Sequence, residues 1–308
     1  MLFDVAITSY RRPAMVNDAV VSCLNQGQLL NKVIVVDDAS EDNTAKVIHS
    51  INDPRIVFLQ RTENGGIAAA RRDAFGLSDA DWTVSLDSDH ELLPGAIEGL
   101  AKLCESAPRA VDILGARYKW DTGGVTPVNV PEGIVGYRER IILSGQQDNI
   151  GTDYLCAVSK RLRQSVQWEP LRGSLPDSLF QLDAAKSGRA IFTPAILGLQ
   201  KSDGAHGWTR GSAEQRWARR RQDAPDSVKA LKLILIRHAT ALQDWGALNL
   251  ANLYTKGAFY ALLSGQRSQA RKWLLDGLKV KASLALLGLT VCSALPQQAL
   301  RRIYLLRG

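Results

Sequence analysis

The sequence predicts an α/β fold, a mostly parallel sheet flanked by helices, with a helical C-terminal extension. Three features carry this expectation. Short Val- and Ile-rich runs alternate with helically spaced segments up to about residue 105, polar residues gather where those runs end, and Lys and Arg concentrate beyond residue 206. The runs are FDVAITS (3–9), KVIVVDD (32–38), IVFLQ (56–60) and WTVSLDSD (82–89). Each is continuously apolar at its centre, as a strand buried on both faces requires. Helical spacing falls between them, over 13–26, 42–51, 66–77 and 94–104. Pro13 and Pro94 stand where a first helical turn tolerates proline, while Ser40, Asn43 and Gly65-Gly66 offer cap and turn chemistry.

Beyond residue 105 the rhythm loosens. TGGVTPVNVPEG (122–133) reads as a loop or edge hairpin, YLCAVS (154–159) and RAIFTPAIL (189–197) as strands, and 177–187 as a helix. From 212 onward Leu and Ala recur at helical spacing. The expected organisation is therefore a domain over residues 1–211 and a basic helical extension over 212–308.

Composition narrows the class. The chain has 308 residues, 45% hydrophobic and 22% charged, with 25 Gly and 11 Pro, values of a globular protein that exclude disordered and collagen-like chains. Cys23, Cys104, Cys156 and Cys292 are far apart with no C-x-x-C pair, which argues against a disulfide framework or zinc site and suits a reducing cytosol. The opening MLFDVAITSY lacks a basic n-region, so no secretory signal is expected. The net charge of +7 is uneven: residues 207–308 hold 17 Lys and Arg against 5 Asp and Glu, and residues 1–206 hold 21 against 26. Such asymmetry marks a basic segment with an anionic partner.

The chemistry collects at strand ends. Thr8, Ser9 and Tyr10 close the first run, Asp37 and Asp38 the second, and Asp87 and Asp89 the fourth. In an open parallel sheet, ligands bind beyond the carboxyl ends of the strands. Asp is also an ordinary turn residue there, which is the competing explanation for Asp37 and Asp38. In LDSDH (86–90), two carboxylates one residue apart repel unless a cation offsets them. Hard Mg²⁺ or Mn²⁺ fits, since it takes one or two carboxylates and leaves positions for phosphate oxygens. There is no G-x-G-x-x-G after the first strand, and the P-loop, G-x-S-x-G and H-E-x-x-H motifs are missing throughout.

In order, VAITSYRRP (5–13), VIVVDDASEDNT (33–44), NGGIAAARRDA (64–74), LDSDHELLPGAIE (86–98) and, more loosely, SLPDSLFQLDAAKSGRAIFTP (174–194) resemble the motifs of family 2 glycosyltransferases, which have the GT-A fold. The resemblance spans residues 3–206. It implies an inverting transfer of a sugar, of hexosyl type, from a nucleotide-sugar donor, taken as UDP-linked, with Mg²⁺ or Mn²⁺ as cofactor. By position it implies Thr8 and Tyr10 lining the nucleobase and ribose, Asp38 accepting from the base, and Arg71 beside it. Asp87 would lie on the ribose or metal side, Asp89 would ligate the metal directly, and His206 would fall at a further metal position. Asp177 would be the general base, with Glu169 and Asp183 as rivals. The chain departs from the family at His90, at Arg72, where the family has Asn, and at Pro176, where it has Glu. For Asp177 a helix N-cap, and for His206 and His90 an ordinary histidine, are the plainer roles.

The apolar run 282–295 is 14 residues, short of the ~20 needed to span a bilayer. Segments such as VKALKLILIRHATAL (228–242) mix bases with Leu and Ile, which suits either an anionic membrane interface or packing on the catalytic domain. No nucleic-acid motif accompanies the charge, so no nucleic-acid partner is expected. Bacterial relatives that assemble cell-surface polysaccharides use glycan or lipid-linked acceptors. By that analogy the expected location is cytoplasmic, peripheral on the cytoplasmic face of the inner membrane. A sugar nucleotidyltransferase and an inactive membrane- or partner-binding scaffold are the alternatives.

Overall fold

The structure, a computed structural model, describes residues 1–126, 130–131, 133–137, 154–169, 171–173, 175–202, 212–244 and 246–306. Its first strands and helices are β1 (Phe3–Ser9), α1 (Pro13–Leu24), β2 (Leu30–Asp37), α2 (Thr44–Ile51), β3 (Ile56–Gln60), α3 (Ile67–Gly76), β4 (Trp82–Asp87), β5 (His90–Leu92) and α4 (Ala96–Ser106). Then come β6 (Ile113–Trp120), β7 (Val125–Thr126), β8 (Ile134–Val135), β9 (Leu155–Ser159), α5 (Lys160–Ser165), α6 (Leu175–Ser187) and β10 (Ala190–Gln200). The C-terminal helices are α7 (Ala213–Arg237), α8 (Ala239–Gln243), α9 (Ala247–Leu263), α10 (Arg267–Val280), α11 (Leu284–Cys292) and α12 (Gln297–Leu306).

The strands form one mixed sheet in the order β3-β2-β1-β4-β9-β6-β10-β5, with β7 on β6 and β8 on β10. The β3-β2-β1-β4 half is parallel throughout, as is the β6–β10 pair. β9 joins the halves by antiparallel pairing to both β4 and β6. All seven residues of β1 are buried, because the strand lies in the sheet interior with helices packed around it. Phe3, Val5, Ile7, Val33, Val35, Val84, Leu114 and Leu155 join Val16, Val20, Ile97 and Leu100 of α1 and α4 in one core. Each such aliphatic side chain contributes about 1.5–3 kcal/mol on burial.

Local chemistry sets the ends. Pro13 opens α1, where a missing N–H costs nothing. Pro94 instead precedes Gly95, whose left-handed φ of 77° turns the chain into α4. Asn43 precedes α2 without a side-chain cap; Asp42 accepts from the Thr44 N–H at 2.9 Å, and Ser40 is committed to Asp37. Periodicity missed β6 and the short β5 and β8.

The described residues group into two units. The first holds 1–126, 130–131, 133–137, 154–169 and 183–202; the second holds 171–173, 175–182, 212–244 and 246–306. Within the second, Ser212 caps α7 reciprocally with Gln215. α7, α9 and α10 bury Leu231, Ile234, Leu253, Ala258, Trp273 and Leu274. Gly257 permits the close approach of these helices, since a Cβ there would lie 2.0 Å from Leu231 Cδ2. Among the described residues no helix is long and apolar enough to cross a membrane.

Candidate active site

Sheet register assembles the site. Thr8 on β1 pairs with Asp87 on β4, and Ser9 pairs with Asp37 on β2, so residues distant in sequence reach one level at the carboxyl ends of the strands. The loops leaving β1 and β2 are cross-tied. The Asp38 N–H donates to the Ser9 carbonyl at 2.9 Å, and the Arg11 N–H donates to Ser40 Oγ at 2.7 Å. Ser40 is fixed in turn by Asp37, which accepts from its hydroxyl at 2.6 Å and its N–H at 2.9 Å. The tie holds Arg11 and Ala39 at φ 55° and 63°, strain of a kind that collects at ligand sites. Asp37 is therefore a scaffold residue.

Asp38 is buried, and its partners are internal. Oδ1 accepts from Arg61 Nη1 at 2.5 Å and the Gly65 N–H at 2.9 Å, and Oδ2 accepts from the Gly66 N–H at 2.7 Å. Gly66 has φ 81°, which lets successive N–H groups face one carboxylate ahead of α3. The guanidinium on Asp38 is thus Arg61's, braced by Asp73 at 2.9 Å. Arg71 on α3 instead donates to Asp87 Oδ1 at 2.5 Å. Tyr10 is 40% exposed, with the Arg11 guanidinium 5.1 Å from its ring centre. Ser9 Oγ is buried with no hydrogen-bond partner among the described residues, a polar atom that a ligand or water would satisfy.

Asp87, Asp89 and His90 each bring one ligand atom within 4.8 Å of the others. The two carboxylates suit Mg²⁺ or Mn²⁺ and the imidazole, a softer nitrogen ligand, favours Mn²⁺ of the two, so the donor set fits a divalent cation. His90 is 5% exposed, lies against the Tyr118 ring at 4.5 Å and places Nδ1 2.8 Å from Asp89 Oδ1 at poor hydrogen-bond angles. Arg12 Nη1 approaches Asp89 Oδ2 at 3.1 Å. Burial alone would raise the Asp89 pKa, but the nearness of His90 and the Arg12 charge outweigh it and hold the carboxyl below its usual value. The Asp89 carbonyl accepts from the Lys201 N–H at 2.8 Å, and the Lys201 ammonium bridges Asp18 and Glu91.

Asp177 belongs to the second unit. It is the third residue of α6, buried, and accepts from Gln181 Nε2 at 3.2 Å. It lies inside the first turn, where the helix dipole favours a carboxylate. Glu169 is half-buried in the first unit, and Asp183 lies beside Tyr137, whose hydroxyl is pushed up to about 12 by burial and then by that charge. His206 lies outside the described residues. Sequence reasoning overlooked Arg12 and Arg61 and left His90 an ordinary histidine. The adjacency of His90 to the D-x-D was the available signal for it.

A strand-end acidic cluster on this sheet, bordered by guanidinium groups, defines a glycosyltransferase domain of GT-A architecture. The family model described as "Glycosyl transferase family 2" matches residues 4–163, and the chain belongs to that family. Succinoglycan biosynthesis protein ExoO of Rhizobium meliloti is 29% identical over 101 residues, 33% of this chain and 29% of that protein. Hyaluronan synthase of Pasteurella multocida is 34% identical over 99 residues, 32% of this chain and 10% of that protein. The matches thus span less than a third of either relative's length. Among solved structures, S. aureus TarS in complex with UDP-GlcNAc superposes with a TM-score of 0.60 at 17% identity, covering 90% of this chain and 89% of that one. Mannosyltransferase PcManGT from Pyrobaculum calidifontis, in complex with GDP-Man and Mn²⁺, gives 0.54 at 17% identity, covering 99% and 84%.

Proposed function

We propose that this protein is an inverting glycosyltransferase of bacterial polysaccharide synthesis, moving a hexosyl group from a UDP-linked donor to a glycan or lipid-linked acceptor. The observation that carries the reading is the Asp87–Asp89–His90 cluster at the strand ends of a family 2 domain. Polysaccharide synthesis is supported by the relatives: succinoglycan and hyaluronan proteins, and a WfaP of Escherichia coli, 31% identical over 88 residues, named for transfer from UDP-Glc to a diphosphoundecaprenol acceptor. The UDP complex of TarS supports uridine.

The roles follow from chemistry. Asp89 and Asp87, with His90 beside them, would hold Mg²⁺ or Mn²⁺; when bound, the ion offsets charge on the departing diphosphate. His206 remains a further proposed ligand. Thr8, Tyr10 and Asp38 bind the base and ribose, with Arg71 steadying Asp87. Asp177 takes the acceptor hydroxyl proton as that oxygen forms its bond to the anomeric carbon and the nucleoside diphosphate leaves from the opposite face. Family 2 membership favours this reading over nucleotidyl transfer.

For residues 212–308 we propose docking on an anionic membrane, at the cytoplasmic face. Leu275 is 59% exposed one turn from the exposed Arg271, Lys272 and Lys279, and Leu287 and Val291, four apart on α11, are exposed as well. Exposed apolar groups among cations match an interfacial helix.

The deciding experiment is thermal stabilisation by a panel of nucleotide sugars with Mn²⁺ or EDTA. A ligand that binds the native state raises its melting temperature. A UDP-sugar should stabilise in Mn²⁺ and less in EDTA. Indifference to every nucleotide sugar would leave the inactive-scaffold reading in its place.

A further inference from the structure

The chain that leads into Asp177 is held by a helix of the C-terminal extension. The compact unit containing α7 also contains residues 171–173 and 175–182, so the entry to α6 clusters with that extension. Two acids of α7, three positions apart and therefore on one face, reach this entry. Asp226 Oδ2 accepts from the Arg172 N–H at 3.1 Å, while Oδ1 lies 3.3 Å from the Lys229 ammonium. Asp223 is buried, with Oδ1 3.9 Å from Arg172 Nε. Gly173 has φ 94°, and a Cβ there would stand 3.2 Å from the Asp223 Cβ. The backbone of 172–173 therefore lies directly against α7.

The grip works against the helix that makes it. Asp223 and Asp226 flank Pro225, which cannot donate to the helix ladder, and Asp is itself a weak helix former. α7 nevertheless runs from Ala213 to Arg237. Residues that oppose their own helix while contacting another segment mark a tertiary task. The segment they hold stands just ahead of Leu175, the first residue of α6, and Asp177 is the third. Leu175 and Leu179 are buried in one continuous helix, so displacing its entry moves Asp177 with it.

We infer that Asp226 and Asp223 are positioning residues that fix residues 172–173 against α7 and so aim Asp177 at the acceptor hydroxyl. The helical extension is then part of the catalytic apparatus. This rests on the reading of Asp177 as the general base. A general base must lie within hydrogen-bond reach of the proton it takes, and misplacement by ~1 Å can cost 10²-fold. The grip bears on turnover and not on donor affinity.

The test follows UDP released by the full chain from UDP-glucose, UDP-galactose and UDP-N-acetylglucosamine, with water in the acceptor's place. Asp226→Ala should lower kcat about 10–100-fold and leave the donor KM within about twofold. Asp226→Asn, which keeps an acceptor oxygen for the Arg172 N–H, should recover most of the rate. In an Asp177→Asn background, Asp226→Ala should cause no further loss, because both changes remove one function. A full further loss in that background, or a parental kcat for Asp226→Ala, overturns the inference while leaving Asp177 as the base. Parental turnover by Asp177→Asn, or no UDP release by the parent, removes the base reading and this inference together. If Asp226→Ala does not fold, Gly173→Ala, which crowds Asp223 at a left-handed φ, decides by the same cycle.

Discussion

Arg71 Nη2 and Asp87 Oδ1 lie 2.5 Å apart, joining α3 to the end of β4 across 16 positions of sequence. Arg71 is buried, whereas the Asp87 side chain keeps 37% of its surface exposed. The carboxylate is thereby oriented from behind while one side stays open to a ligand. Asp89, two residues on, is more enclosed, with a side chain only 18% exposed. The two acids consequently offer different surfaces to a donor.

Asp89→Asn should weaken Mn²⁺-dependent donor binding by about 100-fold or more, since even a residue supporting a metal ligand is worth 10–100-fold. Calorimetric titration of the donor in Mn²⁺ and in EDTA checks this. Equal affinities for parent and variant in Mn²⁺ would remove Asp89 from the metal site.

Asp177→Asn should leave donor affinity nearly intact and slow transfer by ~10²–10⁴, the scale of general-base catalysis. Asparagine can still accept from Gln181 through its amide oxygen, so the first turn of α6 keeps that contact. Transfer at the parent rate would move the base to Glu169 or Asp183.

Asp38→Ala should weaken nucleotide binding by roughly 1–3 kcal/mol with or without metal, the cost of an unpaired polar partner. It also strands Arg61 and the Gly65 and Gly66 N–H groups. Thermal melts should show lower stability as well, and Asp38→Asn, which retains the acceptor oxygen, should lose less. A variant with parental stability and nucleotide affinity would contradict both roles.

The C-terminal helices should co-sediment the protein with anionic vesicles, more so as anionic lipid increases and less so as salt rises, because surface charge is screened. Leu275→Asp should reduce the effect. Equal pelleting with neutral vesicles would point to packing rather than electrostatic docking.

Cys23, wholly buried in α1, has its thiol pushed up to about 12 by burial, partly countered by Ser22, with Glu91 raising it further. A folded value above the unfolded one gives stability that is complete below about pH 9 and is lost as pH rises toward 12. Denaturant melts should weaken over that range, and Cys23→Val should flatten the decline. A thiol reagent at pH 8 should modify Cys23 only after unfolding.

The alternation of strands and helices to residue 105 was readable because its signals are local. The run IVFLQ is continuously apolar and β3 lies at residues 56–60 as periodicity predicts, but as the edge strand of the sheet it is only half-buried, with Leu59 and Gln60 exposed, rather than covered on both faces. β6 was not readable. ILGARYKW carries Gly115, Arg117 and Lys119, and it is a strand because β9 and β10 pair with it, with Phe192 packed where a Cβ on Gly115 would stand. At the site, the strand-end positions of Thr8, Asp38, Asp87 and Asp89 followed from sequence pattern alone. Which charge meets which did not. Arg61 rather than Arg71 on Asp38, Arg12 on Asp89, and His90 inside the acidic cluster are set by parallel register and by two cross-tied loops. Residue types and their periodicity are properties of the chain itself, but the pairing of charges depends on distances of a few ångströms, and those exist only once the sheet has closed.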